Sequence, residues 1–428
     1  MKIRVHIVSL SHLGLPIVIA QLGTIAQSFA DTSMIGQYGT LELSSAGFVN
    51  NIFNLLLFFV LGLSYSTTPV VGSLWGQGRK DDARRALNNS LVVSFLGCIV
   101  AFALLFVLYL NLGNLGQPKE LMPYIRPYFI TLALSVPFVG VFNSFKQYSD
   151  GIGDTRTPMW VMLISNLVNI VGNYILIFTC DLGLFGAGLA TLASRIFMAV
   201  WMWIKIGFGR DYDAKGIMYL AKKGLPISVQ LCLEAGSFNV CALFMGWIGA
   251  NALAAHQVMC VVGSLCFMVY YGIGAAAAVR ISHYRGLKDY VGVRETAFVA
   301  LGMTAFIGTI ITITVLVFHG LLFSVFTTSD EVMAILVSML PAFAAYQVGD
   351  LAQTIFANCL RAMEDVKSMM ISAFVAYIIV SLPCSYIFAF PCEMGAAGIW
   401  WGFPFGLSVA AILYYWRFTR YSLAPMGH

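Results

Sequence analysis

Between Lys223 and Arg280 the chain carries a single charged side chain, Glu234. At about 20 mainly apolar residues per crossing, this stretch is long enough for two membrane helices, and it divides naturally at Ile248-Gly249-Ala250-Asn251. Such a run leaves a water-soluble fold little room. The whole chain of 428 residues is 59% hydrophobic and 10% charged, against roughly a quarter charged in soluble domains. Read the same way, the chain predicts twelve spans, at about 12–35, 47–73, 88–110, 123–146, 158–180, 186–207, 219–247, 252–279, 296–319, 333–358, 368–390 and 395–416. All are expected to be helices, because unpaired backbone polar groups are too costly in lipid. The fold class expected is therefore an all-α polytopic membrane protein.

Basic residues set the orientation. They gather in the even-numbered connections, among them Arg79, Lys80, Arg84, Arg85, Lys205, Arg210, Lys215, Lys222, Lys223, Arg285, Lys288 and Lys367, and in the tail as Arg417 and Arg420. The odd-numbered connections hold only Lys119 and Arg126. The positive-inside rule then puts both termini in the cytoplasm, in a chain expected in the cytoplasmic (inner) membrane. The net charge of +5 follows from that bias and gives no reason to expect nucleic acid. The segment Met1 to His12 is too short and polar for a cleaved signal peptide, so the first apolar segment is expected to stay as a helix. No phosphate-cradling Gly-Lys motif, metal-type His pair or Gly-x-Ser-x-Gly elbow occurs, which disfavours an ATP-driven pump or an enzyme and leaves no cofactor expected.

Three of the nineteen acidic residues fall inside long uncharged apolar stretches, Asp31, Glu234 and Asp350; the others fall in polar segments that read as loops. A carboxylate at membrane depth costs several kcal/mol if unpaired, so such residues usually line a polar cavity and bind or relay ions. Glu234 and Asp350 lie at similar depth, and Tyr346 shares a helix face with Asp350. Together they are candidates to hold Na⁺ (a metal site of hard oxygen ligands), to share a proton, or to counter a cationic substrate. Asp31 lies further out along a straight first helix, where a wet interfacial carboxylate is an equal reading. Asn169 and Asn173 are four apart on one face of the fifth span, with Thr191 on the sixth; inter-helix hydrogen bonding explains them as well as ligand binding does. Arg195 within the sixth span needs a partner or a path to water. Gln257 follows His256 at the start of the eighth span and is a candidate for a substrate cavity. Pro137, Pro226, Pro341 and Pro383 would bend their helices.

The halves echo each other at a spacing near 210. Gly14-Leu15-Pro16-Ile17 returns as Gly224-Leu225-Pro226-Ile227, Gly151 to Arg156 is answered by Leu360 to Asp365, and Gly78 to Asp81 by Gly286 to Asp289. Six spans in each half make a parallel repeat, a transporter signature. The expected domains are residues 1–208 and 209–428, joined in the polar stretch Gly207 to Gly216.

At this level the chain resembles the multidrug and toxic compound extrusion (MATE) transporters, over nearly its whole length. The most specific parts are Phe29-Ala30-Asp31-Thr32, Gly153-Asp154-Thr155-Arg156-Thr157-Pro158, Leu225-Pro226 with Glu234, Ala255-His256-Gln257, Tyr346 to Asp350, and Ala376-Tyr377 with Leu382-Pro383. The resemblance implies two pseudo-symmetric six-helix lobes in a V, alternating access, and export of organic cations against Na⁺ or H⁺. It places the coupling cation on Glu234, Tyr346 and Asp350 in the C-terminal lobe, as in NorM-like members. A second polar site, for coupling cation or substrate, falls on Asp31, Asn169, Asn173 and Thr191 in the other lobe, where the DinF type has an aspartate at the position of Asn173. That departure favours the NorM-like reading, with Na⁺ ahead of H⁺. The expected partners are small organic substrates, the coupling ion and the bilayer, with the protein working as a monomer. A lipid-linked precursor flippase of related fold and a non-transporting membrane receptor are the alternatives; the former calls for a basic cavity, the latter has no need of buried carboxylates.

Overall fold

A computed structural model of the protein describes residues 2–114, 118–209 and 211–423. Among the described residues there are twelve helices long and apolar enough to cross a membrane: α1 Arg4–Tyr38, α2 Thr40–Gly76, α3 Lys80–Asn114, α4 Lys119–Gly151, α5 Arg156–Thr179, α6 Gly183–Ile206, α7 Ala214–Ile248, α8 Ala250–Gly286, α9 Tyr290–Val317, α10 Asp330–Ala362, α11 Val366–Ala389 and α12 Gly395–Tyr421. Each coincides with one expected span, and the α7–α8 break falls at Gly249. Most helices run past the apolar segments, since hydropathy marks only the length immersed in hydrocarbon while backbone hydrogen bonding continues into the polar ends. Arg210, one of the basic residues used for orientation, lies outside the described residues. Large side chains such as Phe106, Ile204 and Ile412 are exposed along the spans, as a lipid-facing surface requires.

Three irregularities interrupt the helices. Helix α2 stops at Ser64 and resumes at Thr67. Helix α5 ends in a π-turn, Tyr174–Thr179, and α11 contains another, Val375–Ser381. Single π-turns inside α-helices concentrate at functional sites. Both lie beside residues of the polar clusters described below.

The repeat is visible in the turns. Left-handed backbone occurs at Gly78 and Lys288, at Gly153 and Glu364, at Asp181 and Glu393, and at Gly183 and Gly395. The hydrogen bonds match too: Gly153 N–H to the Asp150 carbonyl and Asp154 N–H to Ser149 are answered by Glu364 to Arg361 and Asp365 to Leu360. This corrects the register of two expected correspondences. Gly78 is matched by Lys288 rather than Gly286, and Gly153-Asp154 by Glu364-Asp365 rather than by Ala362-Met363. Backbone geometry is the constraint at such a helix end, and non-glycine residues satisfy it in the second half without leaving a sequence echo.

By packing, the chain forms two units, one made of Ile19–Ser228 and the other of Met1–Val18 with Val229–His428. We call them the N-terminal and C-terminal units. These boundaries fall within α1 and α7, whereas the sequence repeat changes over near residue 208. The start of α1 belongs to the C-terminal unit, where His6 Nε2 meets Glu295 at 3.2 Å and Gly14 lies against the Gly272 carbonyl. The start of α7 belongs to the N-terminal unit, where Ser228 Oγ donates to the Phe59 carbonyl at 2.7 Å and Gly224 lies against Leu63. The Gly-Leu-Pro pair thus marks equivalent contacts: a Cβ at Gly224 would lie 2.5 Å from the Leu63 carbonyl oxygen, and one at Gly14 3.3 Å from that of Gly272. The polar stretch after α6 is also held within the N-terminal unit: Arg85 pairs with Asp211 at 2.9 Å, and Asn89 donates to Asp213 at 2.9 Å.

Lys146, the last residue of the fourth expected span, and Asp150, expected beyond it, lie in the last turns of α4 as a buried ion pair, Nζ to Oδ2 at 2.7 Å, with side chains 9% and 5% exposed. Around them Thr68 donates to Gln147, Thr67 bonds Ser90, and Ser94 bonds Ser144. Hydropathy could not place them, because an ion pair separated by one helical turn resembles a loop in composition. Removing one partner of such a pair costs about 3–5 kcal/mol, while replacing both with apolar residues is often neutral. Asp150→Asn is therefore expected to lower the melting temperature of the detergent-purified protein clearly, and Lys146→Met/Asp150→Leu to recover most of the loss. Equal stability of the single variant and wild type would show that the pair is not energetically coupled.

Candidate functional site

The C-terminal unit gathers Glu234 from α7 with Tyr346, Asp350, Gln353 and Thr354 from α10. Glu234 accepts hydrogen bonds from Gln230 Nε2 at 2.8 Å and from Gln353 Nε2 at 3.2 Å. Gln230 lies one helical turn before Glu234, and Gln353 one turn after Asp350, so each amide projects from the same face as its neighbouring acid. Asp350 is 2% exposed, with the Tyr346, Gln353 and Thr354 side chains around it and Glu234 close enough to act on it electrostatically. Tyr346 is fixed from the other side by Phe343, Trp400, Phe403 and Phe238.

Four groups in this cluster are buried without a hydrogen-bond partner: Asp350 Oδ2, Gln353 Oε1, Gln230 Oε1 and the Tyr377 hydroxyl. Tyr377 comes from the α11 π-turn and lies close enough to Glu234 to act on it electrostatically, its hydroxyl outside ordinary hydrogen-bond geometry. A buried polar atom left unmade costs about 1–3 kcal/mol. Three of the four are acceptor oxygens, one on Asp350 itself and two on the amides bonded to Glu234. That donor set suits a hard cation held by oxygen ligands, or a proton added to a carboxylate.

The N-terminal unit brings the other predicted residues together. Asn173 Nδ2 donates to Asp31 Oδ1 at 2.5 Å and to Asn169 Oδ1 at 3.3 Å, and Asn169 Nδ2 donates to Thr191 Oγ1 at 3.4 Å. Asn169 and Asn173 are fully buried, and Asn173 Oδ1 has no partner. Asp31 is half-buried, and Gln27 lies close to it from one turn earlier on α1. Arg195 donates to Ser135 Oγ at 2.6 Å and acts electrostatically on Asp31, so its charge is met inside the unit. With an amide at position 173, Asp31 is the single carboxylate of this cluster, hydrogen-bonded by a neutral amide with the Arg195 charge near it.

Gln257 is exposed on α8, and no hydrogen bond joins it to the Glu234 cluster. Its neighbour His256 is buried and accepts from Trp400 Nε1 at 3.2 Å, a satisfied packing residue. The sequence reading missed Gln230, Gln353 and Tyr377 as members of the cluster. The amides had a signal in the spacing of three or four from an acidic residue. Tyr377 stood only in a family-like motif, since the π-turn that aims it is a backbone feature.

The sequence profile of the MatE family matches this chain twice, over residues 16–175 and 226–387. The two matches start at the same spacing as the repeated Gly-Leu-Pro motifs. The chain belongs to the MatE family. Relatives that cover nearly all of it include the probable multidrug resistance protein NorM of Rhizobium meliloti (strain 1021), 30% identical over 96% of this chain and 92% of that protein. The protein of the same description from Bradyrhizobium diazoefficiens is 31% identical, over 97% of this chain and 93% of its own length. Among solved structures, the eukaryotic MATE transporter AtDTX14 superposes with a TM-score of 0.90 at 18% identity, covering 99% of both chains. The Vibrio cholerae MATE transporter VcmN in the bent form gives 0.87 at 20% identity, covering 98% of both. The MatE fold is thus the fold of this chain, a membrane protein of twelve helices.

Proposed function

We propose that the protein is a multidrug efflux transporter that exports amphipathic, mainly cationic organic compounds by antiport with Na⁺ or H⁺. The observation that carries this reading is the set of unpartnered acceptor oxygens around Glu234 and Asp350. Glu234 and Asp350 bind the coupling cation, Gln230 and Gln353 orient Glu234 and offer amide oxygens, and Tyr346 walls the site. Asp31, Asn169, Asn173 and Thr191 form a second polar site in the N-terminal unit, for cation or substrate. The names of the curated relatives, multidrug resistance proteins, favour the same substrate class. Antiport requires that cation and substrate prefer oppositely facing states, through differential affinity alone. A cation entering the carboxylates from outside removes the charge that retains a cationic substrate, and so resets the protein inward. On this reading the protein lies in the inner membrane with cytoplasmic termini, works as a monomer and carries no resident cofactor.

The test is efflux of a fluorescent organic cation from proteoliposomes under imposed Na⁺ or pH gradients. Flux driven by one gradient and collapsed by its dissipation is the expected result, and the effective gradient names the ion. Saturable binding of the cation with no gradient-driven flux would sink the transporter reading in favour of a receptor.

A further inference from the structure

The first turns of α7 carry a basic face that none of the chemistry above uses. Lys215, Met218, Tyr219 and Lys222 lie at helical spacing and, with Ala214, line an open groove of about 360 Å³. Lys215 and Lys222 are exposed, and so are the apolar surfaces of Met218, Tyr219 and, one turn further into the span, Leu225, at 56%, 42% and 50%. Lys223 adds a third ammonium, 5.6 Å from the centre of the Tyr219 ring. The neighbouring carboxylates are held by partners outside the groove. Asp211 pairs with Arg85, and Asp213, which lies near Lys215, accepts from Asn89 and from the Gly216 N–H.

We propose that this groove binds an anionic phospholipid, with the phosphate between Lys215 and Lys222 and an acyl chain along Met218, Tyr219 and Leu225. The charge complementarity is with a phosphate. The apolar wall continues from the lysines into a helix that crosses the bilayer, which a small inorganic anion would leave uncovered and a phospholipid fills along its length. The exposed Phe208 and Tyr212, just before α7, are the aromatic residues favoured at the same interfacial level. This inference rests on the membrane location of the chain and is independent of what it transports.

The experiment uses the full chain purified in a mild detergent and titrated with phosphatidylglycerol or phosphatidylcholine, with bound lipid counted by native mass spectrometry. At about 1 kcal/mol per basic residue near the surface, Lys215→Gln/Lys222→Gln should weaken phosphatidylglycerol binding roughly thirtyfold and leave phosphatidylcholine binding unchanged. Lys367→Gln, on an exposed lysine elsewhere, should bind as wild type does. Five results would overturn the proposal: equal retention of the two lipids by wild type, an unchanged affinity in the double variant, and an equal loss in Lys367→Gln are three. The fourth is displacement of the lipid by inorganic phosphate at comparable concentration, which would make the groove a free-anion site. A doubled mass that the double variant abolishes would also overturn it, by assigning the face to a second copy of the chain.

Discussion

Asp350→Asn is expected to bring gradient-driven efflux down to the leak of protein-free vesicles. The substitution keeps the shape of the side chain, removes the charge and replaces one acceptor oxygen with an N–H donor group, so packing around Tyr346 and Trp400 should persist. A buried charge that loses its partner typically loses about 3 kcal/mol or more, and each 1.4 kcal/mol is about a factor of ten. Coupled flux should therefore fall by about a hundredfold. The measurement is the initial efflux rate of an organic cation from proteoliposomes, with thermal stability of each variant as the control for folding. Glu234→Gln should behave similarly, because Glu234 and Asp350 are close enough to act on each other and share the unpartnered oxygens of Gln230 and Gln353. If Asp350→Asn transports normally and Asp31→Asn does not, coupling belongs to the Asp31–Asn173–Asn169–Thr191 chain of the N-terminal unit. The two sites are separate hydrogen-bonded clusters, so the variants discriminate cleanly between them.

Gly402→Val is expected to prevent stable packing of the last two helices. Gly398, Gly402 and Gly406 lie one turn apart on α12 and face α11 at very close range. A Cβ at Gly402 would lie 1.9 Å from Ser385 Oγ and 2.6 Å from the Ser385 backbone nitrogen; at Gly398 it would meet the Phe388 carbonyl at 2.6 Å, and at Gly406 Ser381 Cβ at 2.4 Å. Close approach through small residues is how membrane helices gain contact where no hydrophobic force separates helix from lipid. Because the Gly402 contact includes backbone, rotamer changes cannot relieve it. Overpacking costs about 1–3 kcal/mol, and more when backbone must move, so the apparent Tm should fall by roughly 5–10 °C or the folded peak in size-exclusion chromatography should vanish. Gly302→Ala on α9 is the control, since nothing lies within 4 Å of the new methyl, and it should change stability by at most about 1 kcal/mol. A Gly402→Val protein as stable as wild type would show that α11 and α12 are not held at this distance.

Several features of this protein were open to reading in one dimension because they depend on the local cost of leaving water. Twelve crossings follow from uncharged length. The candidate acids Asp31, Glu234 and Asp350 follow from their isolation within such lengths, and the repeat from motifs such as Gly-Leu-Pro returning at one spacing. Tertiary structure decided what these residues meet. Asn173 donates to Asp31, Gln353 reaches Glu234 from another helix, and Tyr377 is turned toward Glu234 by a π-turn, all of which depend on how helices are rotated about their axes. The glycine row on α12 was printed in the chain, but a spacing of four does not say which helix comes close. Lys146 looked like the end of a span and Asp150 like a loop residue because hydropathy counts charges singly, whereas in the fold the two charges offset each other over 2.7 Å. The packing units, too, divide within α1 and α7 rather than at the repeat boundary. Chain order records how the halves were joined, while contact is settled by which surfaces fit when the whole chain is folded.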